Sequence, residues 1–504
     1  MEISSIITQN PWWKHGEDFV SFDNHFKNAT EGFIEYKRGD ISWKIGNIFI
    51  IRGPRQVGKT IWIKQHIASL IRDSKVNPRS ISYLSCDTMT AGTRRELGRA
   101  IRELIGIMRD FGNSYIFLDE INFVRDWEYE IKALSDQGLL SKVVLLVTGS
   151  SPGAIKHKAE TLPGRGVSGN EFLLKPLSFR EFVLQTSPRI GGHTADQNKK
   201  DSLNRLHGVL TDTIGSLDEL PKLYKSANII FPYKEELDDL MGIYMQTGGF
   251  PRPINEFLTQ KYIPGKGEKM DRRSFEDIVR VVLGDIQRSG KGEGIAKQVL
   301  SAISKKLGSR YSYIKLAKST EEGVKQPTVT DYAEHLADCF ILNLLFCIDL
   351  QKKEARLKAD KKIYFADPFI LHSVESWLKG RDAEEVSMEY IQDNTALSRL
   401  AELLVCQHLA ALREIPIQRE TSTFLWFYYD ARREIDFIFR NQKENLLGIE
   451  VKYQASPSEK DIRKIQGINE YIVLTKDEIR DTEGIMMFPL SVFLALLDKS
   501  DRNL

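Results

Sequence analysis

The sequence predicts an α/β protein of several domains, and three stretches carry that prediction. From 47 to 185, short apolar runs alternate with helical stretches, the pattern of a parallel sheet built from strand–helix–strand units. Within it, Gly53-Pro54-Arg55-Gln56-Val57-Gly58-Lys59-Thr60 lies between an apolar run at 48–51 and a helical run at 61–70. Far downstream, 423–429, 434–440 and 446–453 read as three strands joined by short polar turns.

A chain of 504 residues is too long for one core and suggests about three domains. With 41% hydrophobic and 28% charged residues, it has the composition of a globular protein. Lys+Arg of 71 against Asp+Glu of 69 excludes a global basic field, so any contact with nucleic acid must come from a local patch. The four cysteines, Cys86, Cys339, Cys347 and Cys406, are too widely spaced to suggest a disulfide framework or a zinc site. Apolar runs such as 340–348 fall short of the about 18 residues of a spanning helix. Met1-Glu2-Ile3 lacks the basic start of a signal peptide, so a cytoplasmic protein with no membrane partner is expected.

Residues 1–46 form an N-terminal extension, where Asn10-Pro11-Trp12-Trp13 interrupts local structure and supplies two large aromatics. These belong either to the core or beside a bound base. The domain at 47–185 follows, with strands at 48–52, 80–85, 115–118 and 143–148. The stretch 53–60 has the spacing of a phosphate-binding P-loop: its glycines let successive N–H groups point at phosphate oxygens, and the following helix adds positive potential. Lys59 then reaches the β- and γ-phosphates of ATP, and Thr60 holds Mg²⁺.

The third strand ends in Asp119-Glu120, which places two acids at the carboxyl end of the sheet, where ligands of open α/β sheets bind. Asp119 is expected to bind Mg²⁺ through water, and Glu120 to polarise the attacking water. The fourth strand ends in Thr148-Gly149-Ser150-Ser151, where a hydroxyl such as that of Ser150 either reads the γ-phosphate or makes a turn or helix cap.

Downstream come Leu162-Pro163-Gly164-Arg165-Gly166 and Pro176-Leu177-Ser178-Phe179-Arg180-Glu181-Phe182. With these, the chain resembles the AAA+ ATPases, specifically the prokaryotic group in which such a domain precedes a DUF4143-type region. The P-loop, Phe117-Leu118-Asp119-Glu120, Thr148-Gly149-Ser150, Gly164-Arg165, Pro176-Leu177-Ser178-Phe179 and Gly248-Gly249-Phe250-Pro251 carry the resemblance. It implies a homo-oligomer in which Arg165 is an arginine finger reaching a neighbouring subunit's γ-phosphate. The alternative is a solvated loop arginine. It also implies that 186–260 is a helical lid, with Arg252 either a second nucleotide sensor or a basic loop residue. A basic stretch with Gly and Pro at 261–273 reads as a linker.

Between 274 and 368 the pattern fits a winged-helix domain. Helices are expected at 275–286 and 295–307, a helix-turn-helix at 313–317 and 328–342, and a hairpin wing at 343–365. The wing carries Lys352, Lys353, Arg356, Lys358, Lys361 and Lys362, which either track DNA phosphates or form a solvated face.

The last domain, 390–504, contains a hairpin that, if centred on Lys443, sets Asp436 directly opposite Glu450, with Cβ atoms about 5 Å apart. The period of two adds Lys452 to the same face and assigns Ile435, Phe437, Ile449 and Val451 to the other. Facing carboxylates repel, and a divalent cation would relieve that repulsion. Glu402, on a helix at 398–412, completes a candidate site for Mg²⁺ or Mn²⁺. The arrangement resembles the PD-(D/E)XK nuclease superfamily, with Asp436 as first acid, Glu450-Val451-Lys452 as the E-x-K element, and Ile435 in place of the name-giving proline. It implies a restriction-endonuclease-like α/β domain. The whole then reads as an ATP-hydrolysing protein that remodels, processes or cleaves DNA. Alternatively, it is an ATP-dependent assembly switch with a catalytically inactive docking module.

Overall fold

The computed structural model describes residues 3–24, 26, 32–35, 38–39, 41–149, 170–265, 269–320, 324–413, 422–453, 464–482 and 484–498. Ser150 and Arg165 lie outside these. The chain divides into two compact units, one ending at Lys175 and the other running from Pro176 to Asp501.

The first unit is built on five strands: β1 (Ile48–Arg52), β2 (Ile81–Ser85), β3 (Ser114–Asp119), β4 (Val143–Gly149) and β5 (Glu171–Leu173). They pair in parallel in the order β2-β3-β4-β1-β5. Alternate residues of each strand separate into two apolar clusters, as a period of two requires. Ile48, Ile50, Ile116, Leu118, Leu145 and Val147 pack with the helices Arg94–Met108 and Trp127–Asp136. Phe49, Ile51, Phe117, Val144 and Leu146 pack with the helix Lys59–Arg72. Burial on both faces explains why these strands read as continuous apolar runs.

The edge strand β2 is closed by side chains of the N-terminal extension. Asn10 accepts from Tyr83 N at 2.6 Å and donates to Tyr83 O at 2.9 Å. The indole N–H groups of Trp12 and Trp13 donate to Ile81 O, and Gln9 accepts from Ser85 N at 2.8 Å. These groups, two residues apart, are the ones an edge strand would otherwise offer to another chain. The tryptophans are therefore edge caps: Trp12 is fully buried with Phe19 and Ile81.

The second unit begins with helices. Ser178 and Glu181 form a reciprocal capping box that starts the helix Phe179–His193. Its nine-stranded sheet comprises β6 (Arg310–Tyr311), β7 (Leu342–Asp349), β8 (Glu354–Phe365), β9 (Leu425–Tyr429), β10 (Glu434–Arg440), β11 (Leu446–Val451), β12 (Glu470–Thr475), β13 (Arg480–Thr482) and β14 (Ile485–Pro489). The order is β13-β14-β12-β11-β10-β9-β7-β8-β6. The hairpin β7–β8 and the strands β9–β14 are thus one sheet, joined where Cys347 pairs with Phe427. The helices Tyr313–Ala317 and Gln326–Asp338 precede this hairpin, and β6 pairs with β8.

Residues 176–179 and 248–251, read as family marks, meet at a buried joint in this unit. Leu177 N donates to Gly249 O at 2.8 Å, Phe179 N to His408 Nε2 at 2.7 Å, and Gly249 N to Asp367 Oδ2 at 2.9 Å. Burial holds His408 down to about 4, so the ring stays neutral and Nε2 can accept. At Gly248, with φ +59°, an added Cβ would lie 1.8 Å from Asp367 Oδ1. Arg252 pairs with Glu256 at 2.9 Å and Asp277 at 2.8 Å within the same unit.

Candidate functional site

The first site lies at the carboxyl end of the parallel sheet. β1 delivers the loop 53–58, and the helix starting at Lys59 takes Gly58 as its N-cap, in a left-handed conformation with φ 98°. Gly53 sits so close to Leu174 that a Cβ would meet its carbonyl at 2.1 Å, so glycine is required there. Lys59 is buried, with Nζ donating to Gly53 O at 3.1 Å and Pro54 O at 2.9 Å. Of the rest of the loop, Pro54 and Val57 are buried and Arg55 and Gln56 half-buried.

β3 delivers Asp119, which is 2% exposed. Its Oδ2 accepts from Thr60 Oγ1 at 2.6 Å and from Tyr83 OH at 2.9 Å. Its Oδ1 accepts from the Thr148 hydroxyl and from Glu120 N at 3.1 Å. β4, which separates β1 from β3, places Thr148 between the loop and the acids. Burial and the neighbouring Asp119 push the Tyr83 phenol up, so it remains a donor.

Among the described residues, the carboxylate is thus held by three hydroxyls and an amide. Together with Thr60 it is an all-oxygen donor set that fits a hydrated Mg²⁺. Glu120 is half-buried in a left-handed conformation, φ 52° and ψ 46°, which for a residue with a Cβ stores roughly 1–3 kcal/mol of strain. Asn122 Nδ2 donates to Glu120 Oε2 at 3.5 Å.

The second site is in the nine-stranded sheet. β10 and β11 pair from Phe437 with Ile449 through Arg440 with Leu446, the register expected from a turn at Lys443, and this pairing ends one residue short of Asp436 and Glu450. On its other side β10 is irregular. Ile435 pairs with Tyr428 but Ile438 with Trp426, a one-residue bulge at Asp436 and Phe437. Ile435 and Ile438 therefore enter the same apolar cluster, and the strict alternation expected around Asp436 is broken.

Asp436 turns to Lys362 of β8. Lys362 Nζ lies 3.0 Å from Asp436 Oδ1, 2.8 Å from Glu434 Oε1 and 3.9 Å from Glu402 Oε2, and the residue is 1% exposed. Tyr364 OH donates to Glu402 at 2.9 Å, and Val451 N donates to Asp436 Oδ2 at 3.0 Å. Glu450 pairs with Lys452 at 3.2 Å. Burial alone would lower the Lys362 ammonium, but Asp436, Glu402 and Glu434 outweigh it and hold it charged. Burial and Asp436 push Glu402 up to about 8, while Lys362 and Val451 N hold Asp436 below the usual carboxylate value despite burial.

At the place where the sequence suggests a divalent cation, the structure sets the Lys362 ammonium among Asp436, Glu402 and Glu434. Among the described residues, no group of three or more His, Cys, Asp or Glu side chains could hold a metal ion.

The wing lysines divide likewise. Lys352, Lys353, Arg356 and Lys358 are exposed, whereas Lys361 and Lys362 are buried. Lys361 Nζ donates to Leu357 O and Ala359 O, pinning the residues 357–360 that bulge from β8 between the Cys347–Arg356 and Phe346–Lys361 pairs. Beside this bulge, Gln326, Thr330, Tyr313, Phe346 and Lys358 help line a cleft of about 600 Å³. Sequence reasoning missed Tyr83, Glu434 and the inward role of Lys362. The available signal was that Lys361-Lys362 run directly into the apolar Ile363-Tyr364-Phe365 of the same strand.

Three family models match the chain: an AAA domain over 46–183, a domain of unknown function (DUF8612) over 239–382, and another (DUF4143) over 397–493. The chain thus carries a P-loop ATPase domain of the AAA type, followed by DUF8612 and DUF4143 domains. An uncharacterized protein of Methanocaldococcus jannaschii is 22% identical over 477 residues, spanning 94% of this chain and 88% of that one. One from Haemophilus influenzae is 23% identical over 352 residues, 68% of this chain and 71% of the relative. Among solved structures, a Walker-type ATPase of Pyrococcus abyssi aligns at 15% identity and a TM-score of 0.35, over 65% of this chain and 91% of its own. ORC2 of Aeropyrum pernix aligns at 12% and 0.34, over 73% and 94%. No helix among the described residues is long and apolar enough to cross a membrane.

Proposed function

We propose that the protein hydrolyses ATP with Mg²⁺ at the Asp119 crevice and uses the nucleotide cycle, as a homo-oligomer, to control engagement of DNA by the second unit. The observation that carries this reading is the Thr60–Asp119 pair at 2.6 Å beside a buried Lys59, at the end of a parallel sheet.

Thr60 and Asp119 would hold Mg²⁺, and the N–H groups of 53–60 with Lys59 would bind the phosphates. When bound, the cation neutralises charge developing on the phosphoryl oxygens. Glu120 orients the attacking water and takes its proton. Lys59 leaves the carbonyls of Gly53 and Pro54 for the β- and γ-phosphates. Thr148, hydrogen-bonded to Asp119, positions that carboxylate. Ser150 and Arg165 keep the roles of γ-phosphate reader and arginine finger in this proposal.

DNA engagement is assigned to a winged-helix module spanning 274–368. What supports it is the helix pair Tyr313–Ala317 and Gln326–Asp338, β6 paired to the hairpin β7–β8, and exposed Lys315, Lys318, Lys325, Lys352, Lys353 and Lys358. The C-terminal strands are read as a nuclease-like fold serving as a docking module. The compensation of Asp436 by Lys362 favours this over cleavage by Asp436, Glu450 and Lys452.

Glu120→Gln should retain ATP binding and lose turnover about 10²–10⁴-fold, measured as phosphate release. Unchanged turnover would refute the assignment of the base. Plasmid and branched DNA incubated with Mg²⁺ or Mn²⁺ should be bound but not cut; cutting that Asp436→Ala abolishes would refute the docking role.

A further inference from the structure

The C-terminal carboxylate cluster draws side chains from three elements. Glu402 comes from the helix Asn394–Ala411, Glu434 and Asp436 from β10, and the ammonium at their centre from β8. Three acids brought together at a bulge would repel strongly unless a cation stood among them. The PD-(D/E)XK resemblance implies a divalent metal for that place, and the place among the carboxylates is taken by an ammonium.

The Lys362 ammonium lies within 4 Å of all three acids, its stem buried, and each of its short contacts is to a carboxylate oxygen. Tyr364 OH takes a lone pair of Glu402, and Val451 N takes one of Asp436. The remaining acid, Glu450, has its own ammonium in Lys452.

We infer that Lys362 is the resident cation of this cluster, an internal substitute for a divalent metal, and that it anchors the base of the basic hairpin to the C-terminal sheet. This deepens the docking role proposed above and rests on that reading. Successive strand residues point to opposite faces, so Lys361 and Lys362 secure β8 on both. Lys361 ties down the 357–360 bulge, and Lys362 ties the strand to β10 and to the helix carrying Glu402. The exposed Lys352, Lys353 and Lys358 are thereby held in a fixed orientation by an ion cluster that needs no metal.

Isothermal titration of Mn²⁺ into the full, nucleotide-free chain tests this independently of ATP turnover or DNA binding. Asp436→Asn should leave the Mn²⁺ stoichiometry of the wild type unchanged. Lys362→Met should gain one Mn²⁺ per chain, and that gain should vanish in Lys362→Met/Asp436→Asn. A stoichiometry lowered by Asp436→Asn alone would overturn the inference, and this arm does not depend on Lys362→Met folding. A folded Lys362→Met chain, verified by its cooperative thermal transition, that gains no Mn²⁺ would overturn it too. If DNA binding fails while these results hold, the docking role falls and the internal cation stands.

Discussion

Two aspartates at strand positions of two different sheets, Asp119 and Asp436, are both largely withdrawn from water and both hydrogen-bonded, yet their surroundings are opposite. Asp119 is ringed by the hydroxyls of Thr60, Tyr83 and Thr148 and one backbone amide, none of which carries charge. Asp436 is met by the ammonium of Lys362. Neutral donors orient a carboxylate and leave its charge to be shared with an arriving cation, whereas an ammonium has already cancelled it. The first arrangement leaves a carboxylate charge for a cation to meet, and the second already contains one.

The comparison can be broken most severely at the nucleotide site. Lys59→Ala removes the buried ammonium proposed to meet the β- and γ-phosphates and should lower ATP turnover at least about 100-fold, as read from phosphate release. Next come substitutions that set the two aspartates apart by stability. Lys362→Met removes the buried cation that Asp436, Glu402 and Glu434 share and should cost about 2–4 kcal/mol in denaturant unfolding, partly recovered when Asp436→Asn is added. Asp119→Asn should cost only about 1–2 kcal/mol, because the hydroxyls around it can turn to accept.

Gly248→Ala sharpens the picture of the second unit's joint. The positive φ and the Cβ contact with Asp367 predict a loss of roughly 3 kcal/mol in the same measurement. Smaller still, Asn10→Ala leaves the exposed-edge groups of Tyr83 without their partner and should cost about 1–3 kcal/mol.

Acid–base behaviour gives a gentler test. Burial raises Asp367 to about 7 and Glu402 to about 8, so both bind protons more tightly folded than unfolded. Their contribution to stability is full below the unfolded values and is lost as pH rises through 7 and 8. His372 and His408, lowered to about 4, act oppositely and lose theirs as pH falls from the ordinary histidine value of about 6.5. The thermal midpoint should therefore decline from about pH 6.5 to about pH 8, and Glu402→Gln should flatten the upper part of that decline.

Much of the first site was legible because strongly patterned local sequence determines it. The strands β1 to β4 occupy the spans that their apolar runs indicate, and the order of loop, acids and hydroxyls follows from which strand ends they sit on. Tyr83 was not legible, since its role depends on β2 lying beside β3, a pairing no local pattern encodes. In the second site, hairpin symmetry about Lys443 foretold the register from Phe437–Ile449 to Arg440–Leu446, because a tight turn and two strands determine it locally.

The bulge against β9 and the arrival of Lys362 from a strand some seventy residues earlier are non-local, and a basic run reads as solvated until its burial is known. Likewise the sharing of one sheet by 342–365 and 425–489 rests on the single pairing of Cys347 with Phe427.

The most direct test of the contrast is the Mg²⁺ dependence of ATP turnover in the full chain with Asp119→Asn and Asp436→Asn compared side by side. Asp119→Asn should abolish Mg²⁺-stimulated turnover, while Asp436→Asn should retain the wild-type Mg²⁺ titration curve. Mg²⁺-stimulated turnover that survives Asp119→Asn, or a Mg²⁺ requirement displaced by Asp436→Asn, would contradict the assignment of the metal to Asp119 and the ammonium to Asp436.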